Sequence, residues 1–206
     1  LPKKLFSKSE RLPVDDLFGE VQPAAIPVKI TRSEPEHVLA SMVDKDDLRP
    51  ALTAILHSAE RQCMVVTNGH YLFIYPTSVS TTKLVRVSDG KVLNETFPDY
   101  TSVIPFYEYC SSITNLHDLA AKLQGLARAN KFLTSSIPSC IRYQDREVMV
   151  EASLLLPIIR SFLQLGIYTL RIEVPTGEDK AKAIIFRSTN YPRMMALLMP
   201  IYQPST

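Results

Sequence analysis

The sequence predicts an α+β fold, in which amphipathic helices cover antiparallel β-sheet. The first observation is a hairpin pattern: the apolar runs 64–67 and 70–75 flank Asn68-Gly69, a dipeptide that readily adopts the positive φ angles of a two-residue turn. The second is a repeated order, because a helical pattern is followed by strand patterns twice along the chain. The repeat indicates two helix-plus-antiparallel-sheet units related by a pseudo-two-fold duplication.

The first unit is predicted to start with a helix from Asp46-Asp47 to about Ala59. Its apolar residues fall on one helical face, and Pro50 lies in the first turn, where the missing N–H costs little. Strands are predicted before this helix at 28–31 and 37–43. After it come the hairpin and an alternating strand at 83–87 that ends in an Asp89-Gly90 turn.

The second unit is predicted to start with a helix over 151–165. Superposing its Pro157 on Pro50 aligns the apolar positions of the two predicted helices. Strand patterns follow at 168–174, 183–187 and 194–201. Between the two units, the sequence predicts a helix over 115–131, capped by Asn115, and a hairpin over 141–150.

The composition is that of a globular protein with a sizeable core. The chain has 206 residues, of which 46% are hydrophobic and 21% are charged, and its net charge is only +2. Four prolines interrupt the first 27 residues, which predicts an N-terminal arm over 1–27. We expect 28–206 to form a single domain, with half-units over 28–105 and 106–202.

The cysteines and the hydropathy pattern predict a cytoplasmic protein. The three cysteines are far apart and form no CxxC pair, which suits a reducing compartment better than a disulfide framework. No apolar run approaches the roughly 20 residues that span a bilayer, and the N-terminal residues lack the apolar core of a secretion signal. We therefore expect no membrane association.

The chemistry of an enzyme is largely missing from the sequence. There is no glycine-rich phosphate loop, serine nucleophile elbow, HExxH motif or calcium loop, so no cofactor, no metal and no catalytic residue is predicted. One alternative is a nucleophilic dyad of Cys63 and His70, because a thiolate beside an imidazole is an activated nucleophile. A cysteine that opens a strand is more often a small core residue.

Three segments together resemble the bacterial DNA polymerase III beta subunit, the sliding clamp. Residues 65–72, V-V-T-N-G-H-Y-L, are similar to the clamp's V-A-T-D-G-H-R-L hairpin. Residues 97–105 match its F-P-D-Y-x-x-V-[IL]-P connector, and 197–201, L-L-M-P-I, resemble its closing V-V-M-P-M stretch. The resemblance covers about 43–105 and 148–202, whereas the arm and the 115–131 helix have no clear counterpart.

The resemblance implies a DNA-clamp-like fold of the processivity-factor type and a non-enzymatic role in DNA replication or repair. In that family the three segments line a hydrophobic pocket that receives linear peptides of replication and repair proteins. An apolar groove with an adaptable Met suits such anchors, and Thr67 and His70 offer polar groups that orient a ligand. Carried over by position, the peptide-binding pocket would use Thr67, Gly69, His70, Leu72, Pro98, Val103, Leu197 and Met199.

The resemblance also raises the prospect of double-stranded DNA as a partner and of a homo-oligomeric ring. Phosphates could be contacted by basic residues, without reading of the base sequence. Tyr71 and Ser102 replace arginines of the family motifs, and this loss of positive charge puts DNA encirclement in doubt more than peptide binding. The alternative is a monomeric protein-interaction module with the clamp fold and no DNA role. The candidate DNA-facing residues are Lys45, Arg49, Arg61, Lys122, Arg128, Lys131 and Arg160.

Overall fold

The helices of the protein cover one face of a broad antiparallel sheet. A computed structural model describes residues 33–46, 48–105, 111–113, 115–132, 139–143, 146–174 and 183–201. The predicted arm at 1–27 and the predicted strand at 28–31 lie outside these residues. The described part contains α1 (Pro35–Ala40), a 3-10 turn (Pro50–Thr53), α2 (Leu116–Asn130) and α3 (Ala152–Gln164).

Within the described residues, nine strands form one sheet and two more form a separate hairpin. The sheet has the order β5-β4-β1-β2-β3-β11-β10-β9-β6, and all its neighbours are antiparallel. The separate hairpin pairs β7 with β8. The strands are β1 (Ala54–Ser58), β2 (Cys63–Thr67), β3 (Tyr71–Pro76), β4 (Lys83–Arg86), β5 (Val92–Leu93), β6 (Ser111–Ile113), β7 (Ser139–Tyr143), β8 (Arg146–Val150), β9 (Leu170–Glu173), β10 (Ile184–Ser188) and β11 (Met195–Leu198).

The predicted hairpin around Asn68-Gly69 is confirmed, but its turn is centred one residue later. Thr67 pairs with Leu72, and the Asn68 amide lies 3.4 Å from the Tyr71 carbonyl, so Gly69 and His70 form the turn. Gly69 has a φ of +87°, whereas Asn68 does not adopt a positive φ. Asn68 instead accepts hydrogen bonds with its side-chain oxygen from the backbone amides of His70 and Tyr71, as Asx turns do.

The helix predicted over 46–59 is wrong, and with it the alignment of Pro50 on Pro157. Only the short 3-10 turn is helical there, and the chain then continues as β1, hydrogen-bonded between β2 and β4. A short apolar run fits a strand as well as a helix, and here pairing on both sides decides. The strand predicted at 37–43 is also wrong, because Pro35–Ala40 is α1.

The two long helices form the layer that covers the sheet. Asn115 caps α2 by accepting a hydrogen bond from the Asp118 amide, as the sequence predicts. In α3 the predominantly apolar side chains bury a wide face, and Phe162 packs on Phe73 of β3 with ring centroids 4.9 Å apart. None of the helices in the described residues is long and apolar enough to cross a bilayer.

The opposite face of the sheet carries a second, smaller core. Side chains alternate along β3: Tyr71 and Phe73 join the helix-side core, whereas Leu72 and Ile74 point into the smaller core. The latter is covered by residues 97–105, which we call the connector, mainly through the buried Tyr100. This thin cover leaves cavities on the face away from the helices.

Candidate functional site

A cavity of about 240 Å³ lies where the β2–β3 turn, the connector and the end of β11 meet. The β3–β11 pairing, with Leu72 opposite Leu197, brings the hairpin beside the last strand. The connector closes the third side. All eight residues predicted for the peptide-binding pocket line this cavity, namely Thr67, Gly69, His70, Leu72, Pro98, Val103, Leu197 and Met199. The structure therefore brings together three segments that are far apart in sequence.

The hairpin side of the cavity is held by hydrogen bonds around the turn. The Thr67 hydroxyl donates to the Tyr71 carbonyl at 2.7 Å and accepts from the Gly69 amide at 3.1 Å. Thr67 is thus occupied in stabilising the turn, which leaves His70 as the exposed polar side chain on this side. A methyl group on Gly69 would lie 3.4 Å from Nη1 of Arg49, so this guanidinium borders the turn.

The end of β11 is joined directly to the turn. The Met199 amide donates to the His70 carbonyl at 3.0 Å, one residue beyond the regular β3–β11 ladder. Leu197 is buried in the floor of the cavity, whereas 46% of Met199 is exposed. A rigid backbone connection therefore carries one fixed apolar side chain and one adaptable side chain.

The connector is ordered by its own hydrogen bonds. Asp99 accepts from the hydroxyl and the amide of Thr101 at 2.7 and 3.0 Å, and these bonds hold the pKa of its carboxyl below the ordinary value. Tyr100 is buried beneath the connector, and its ring lies edge-on to that of Phe97. Val103, in contrast, is 55% exposed at the mouth of the cavity.

Five further residues line the cavity and were not part of the predicted pocket. Leu52 was missed because the sequence placed it in a helix, and Ala183 because a lone alanine before a strand gives no signal. Tyr100 and Asp99 belong to the connector motif that carries the resemblance. The five are Leu52, Tyr71, Asp99, Tyr100 and Ala183.

The alternative of a Cys63/His70 dyad is wrong. Cys63 pairs with Pro76 at the base of the hairpin, whereas His70 is in the turn at its other end. The Cys63 thiol is buried and lies 3.7 Å from the Tyr100 hydroxyl. Burial and this thiol raise the pKa of Tyr100 to about 12. Within the described residues, no group of three His, Cys, Asp or Glu side chains could hold a metal ion.

The seven predicted DNA-facing residues do not share one surface. Those after position 120 lie on or beside the two helices that cover the sheet. Arg61, in contrast, lines a second cavity together with Cys63, which belongs to the core on the opposite face. Arg49 lies beside the hairpin turn and forms an ion pair with Asp44 at 2.8 Å. The helix-layer residues are Lys122, Arg128, Lys131 and Arg160, and Lys45 is in the exposed loop before the 3-10 turn.

Solved structures with the same fold include bacterial sliding clamps. The sliding clamp (DNA polymerase III subunit beta) from Pseudomonas aeruginosa, bound to griselimycin, has a TM-score of 0.60 and 14% identity over 81% of this chain. The DNA polymerase III subunit beta from Borrelia burgdorferi, in complex with a natural product, has a TM-score of 0.62 and 16% identity over 82%. The DNA polymerase sliding clamp from Bacillus subtilis has a TM-score of 0.60 and 13% identity over 82% of this chain. No protein-family model and no curated protein sequence matches the chain.

The predicted DNA-clamp-like α+β fold is thus confirmed. The matches cover 62%, 61% and 62% of the three clamp chains, so this chain spans about three fifths of their length. At identities of 13–16%, the likeness to the clamps is a likeness of fold.

Proposed function

We propose that the protein is a non-enzymatic, sliding-clamp-like protein whose cavity binds a linear peptide of replication or repair proteins. The observation that supports this most is the convergence of the three clamp-like segments on one cavity. The sliding clamps from Pseudomonas aeruginosa and Borrelia burgdorferi, which share this fold, have been solved with griselimycin and with a natural product bound.

The geometry of the cavity suits an extended peptide. Its floor is apolar and buried at Leu72 and Leu197, and its rim is exposed at Val103 and Met199. Apolar anchors of a peptide would lose water contact on the floor, while His70 is exposed and free to orient a polar group such as a glutamine side chain. Because the walls are held by hydrogen bonds, little ordering is required when a peptide binds.

The test is binding of a fluorescein-labelled peptide with spaced Gln, Leu and Phe anchors, measured by fluorescence anisotropy. A His70→Ala, Met199→Ala double change should weaken binding by about 30-fold or more, because truncating two side chains that contact the peptide should cost about 1 kcal/mol or more each, and each 1.4 kcal/mol is tenfold in affinity. Both side chains are exposed, so the variant should keep the stability of the wild type.

The matched control is a His37→Ala, Tyr191→Ala double change, which removes an exposed histidine and an exposed large apolar side chain that do not line the cavity. It should bind like the wild type. Equal affinity of the cavity variant and the wild type would contradict a peptide site at this cavity.

We further propose that any contact with DNA is made by the helix layer through Lys122, Arg128, Lys131 and Arg160. The competing function is a monomeric interaction module without a DNA role, which is favoured by the division of the basic residues between the two faces of the sheet.

A DNA-binding helix layer should retard duplex DNA in a gel-shift assay, and Arg128→Gln with Lys131→Gln should abolish this retardation. Light scattering adds the oligomeric state, since a closed ring requires self-association. A monomer that never retards DNA would support the interaction module.

A further inference from the structure

A second cavity, of about 250 Å³, opens on the same face of the sheet as the cavity proposed to bind a peptide, which we call the peptide cavity. Its walls include the apolar side chains of Ile74, Ile104 and Met195, which belong to the smaller core or pack against it. Three arginines border it: Arg61 from the β1–β2 turn, and Arg187 and Arg193 from β10 and the turn after it. No carboxylate is among the described residues that line this cavity. We call it the arginine cavity.

The three arginines differ in what neutralises them. Arg187 forms a two-pronged ion pair with the buried Glu173, with nitrogen-to-oxygen distances of 3.0 and 3.3 Å. Arg193 donates to the backbone carbonyl of Arg61 at 2.6 Å, which holds the two residues together. Neither Arg61 nor Arg193 forms an ion pair with a carboxylate of the described residues.

The negative charge of Asp99 acts on Arg61 from a distance. Arg61 contributes to the lowered pKa of Asp99, but that carboxylate is bound by Thr101 in the connector and lines the other cavity. The arginine cavity therefore combines an apolar floor with two guanidinium groups that lack an ion-pair partner. A ligand with an apolar group and a carboxylate is complementary to it, because guanidinium binds carboxylates with paired hydrogen bonds.

The two cavities are within reach of one extended peptide. Tyr100 lines both of them. Along β2, Cys63 lines the arginine cavity and Thr67 lines the peptide cavity, which corresponds to about 13 Å at roughly 3.3 Å per residue. An extended peptide on this face would span that distance with about four residues.

We infer that the arginine cavity is a second subsite for the same partner, which takes an apolar residue followed by an acidic side chain or a terminal carboxylate. This inference rests on the proposed function, because the peptide is held first by its anchors in the peptide cavity. It defines the partner as an acidic linear motif, with its carboxylates about four residues away from the Leu and Phe anchors.

The test uses the labelled peptide with spaced Gln, Leu and Phe anchors, called the anchor peptide, extended by about six residues at either end. In one version the extension carries one Leu and two Glu. In the other version the two Glu are replaced by Gln and nothing else differs. For one direction of extension, we expect the Glu peptide to bind about tenfold more tightly than the Gln peptide at low salt. This advantage should fall to less than about threefold at roughly 0.5 M salt, because screening weakens exposed charge pairs. Fluorescence anisotropy of the labelled peptides measures both.

An Arg61→Gln, Arg193→Gln double change should remove the advantage of the Glu peptide and leave the affinity of the unextended anchor peptide unchanged. The control is Arg128→Gln with Lys131→Gln, which also removes two positive charges but removes them from the helix layer. Equal binding of Glu and Gln peptides, while the anchor peptide binds, would overturn the acidic subsite and leave the peptide cavity intact.

If the anchor peptide does not bind, the proposed function fails and the subsite is decided separately. Acetyl-Leu-Glu-Glu-amide and its Gln counterpart would then be titrated, with NMR detection of the Arg61 and Arg193 side-chain N–H signals. Shifts with the Glu peptide alone support an acidic site at the arginine cavity. Equal shifts with both peptides, or none with either, overturn it.

Discussion

The two faces of the sheet are covered in different ways by the same strands. On one face the helices enclose a large core, in which Phe73, Phe162 and Phe186 are completely buried. On the other face a small core lies under the connector, a segment without a helix or strand of its own. Exposed apolar side chains such as Val103 and Met199 remain there, beside two cavities.

Side chains of one strand alternate between the two faces, so neighbouring residues of the same strand serve different purposes. Those on the helix side stabilise the fold, and those on the other side line the proposed recognition site. Leu198 points to the helices, and its neighbour Leu197 points to the peptide cavity. A closely packed face cannot admit a ligand without losing contacts, whereas the thinly covered face presents apolar surface to a partner. Substitutions on the two faces should therefore affect different properties of the protein.

The largest effect on stability is expected at the centre of the helix-side core. Phe162→Ala should lower the free energy of unfolding by about 3–5 kcal/mol, because it leaves a void against Phe73 that the surrounding side chains cannot fill. Urea unfolding followed by circular dichroism measures this. A loss below about 1 kcal/mol would mean that the helix layer is not closely packed and would remove the contrast between the faces.

A matched pair of neighbours in β11 tests the separation directly. Leu198→Ala should cost about 2–5 kcal/mol of stability and leave the affinity of the folded protein for the anchor peptide unchanged. Leu197→Ala borders a cavity that is already open, so we expect a smaller loss of stability and a loss of affinity of about tenfold or more. Urea unfolding and anisotropy on the same two variants supply both values. The reverse pattern would contradict the assignment of the faces.

The sequence predicted the elements whose signals are local. The cap of α2 at Asn115, the apolar face of α3 and the Asp89-Gly90 turn, where Gly90 has a φ of +70°, are found as predicted. In each case the side-chain pattern and the backbone requirement lie within a few residues. Eight of the residues that line the cavity could also be named from the sequence, because its three segments keep the motifs on which the resemblance to sliding clamps depends.

The errors arose where partners distant in sequence decide the structure. Leu52, Ile55 and Leu56 fit a helical face, but pairing of 54–58 with β2 and β4 makes this segment a strand. The position of the hairpin turn was missed because Asn68 was expected to adopt a positive φ, whereas its side chain caps the following amides. The division of the basic residues between two faces depends on which face the helices cover, and no local pattern reports this.

A smaller effect is expected at Tyr71, which stands where the family motif has an arginine. Its ring belongs to the helix-side core, and its hydroxyl donates to the Met42 carbonyl at 2.8 Å. Tyr71→Phe keeps the ring and leaves that buried carbonyl without this donor, so the free energy of unfolding should fall by about 1–2 kcal/mol at about pH 8. Urea unfolding measures the loss, and Tyr75→Phe, on a partly buried tyrosine of the same strand, is the control.

The difference in stability between the wild type and Tyr71→Phe should depend on pH, and this dependence tests whether the Tyr71 hydroxyl is buried in the folded state. Burial, together with the negative charge of Asp44, raises the pKa of Tyr71 from its ordinary value of 10.0 to about 12. Because the folded state binds this proton more tightly than the unfolded state, the contribution is complete below pH 10 and is lost as the pH rises towards 12. The stability difference between the wild type and Tyr71→Phe should therefore shrink between about pH 8 and about pH 11. Tyr100 is unchanged in both proteins, so its own raised pKa cancels in the difference. A difference that stays constant over this range would mean that Tyr71 is not protected within the helix-side core.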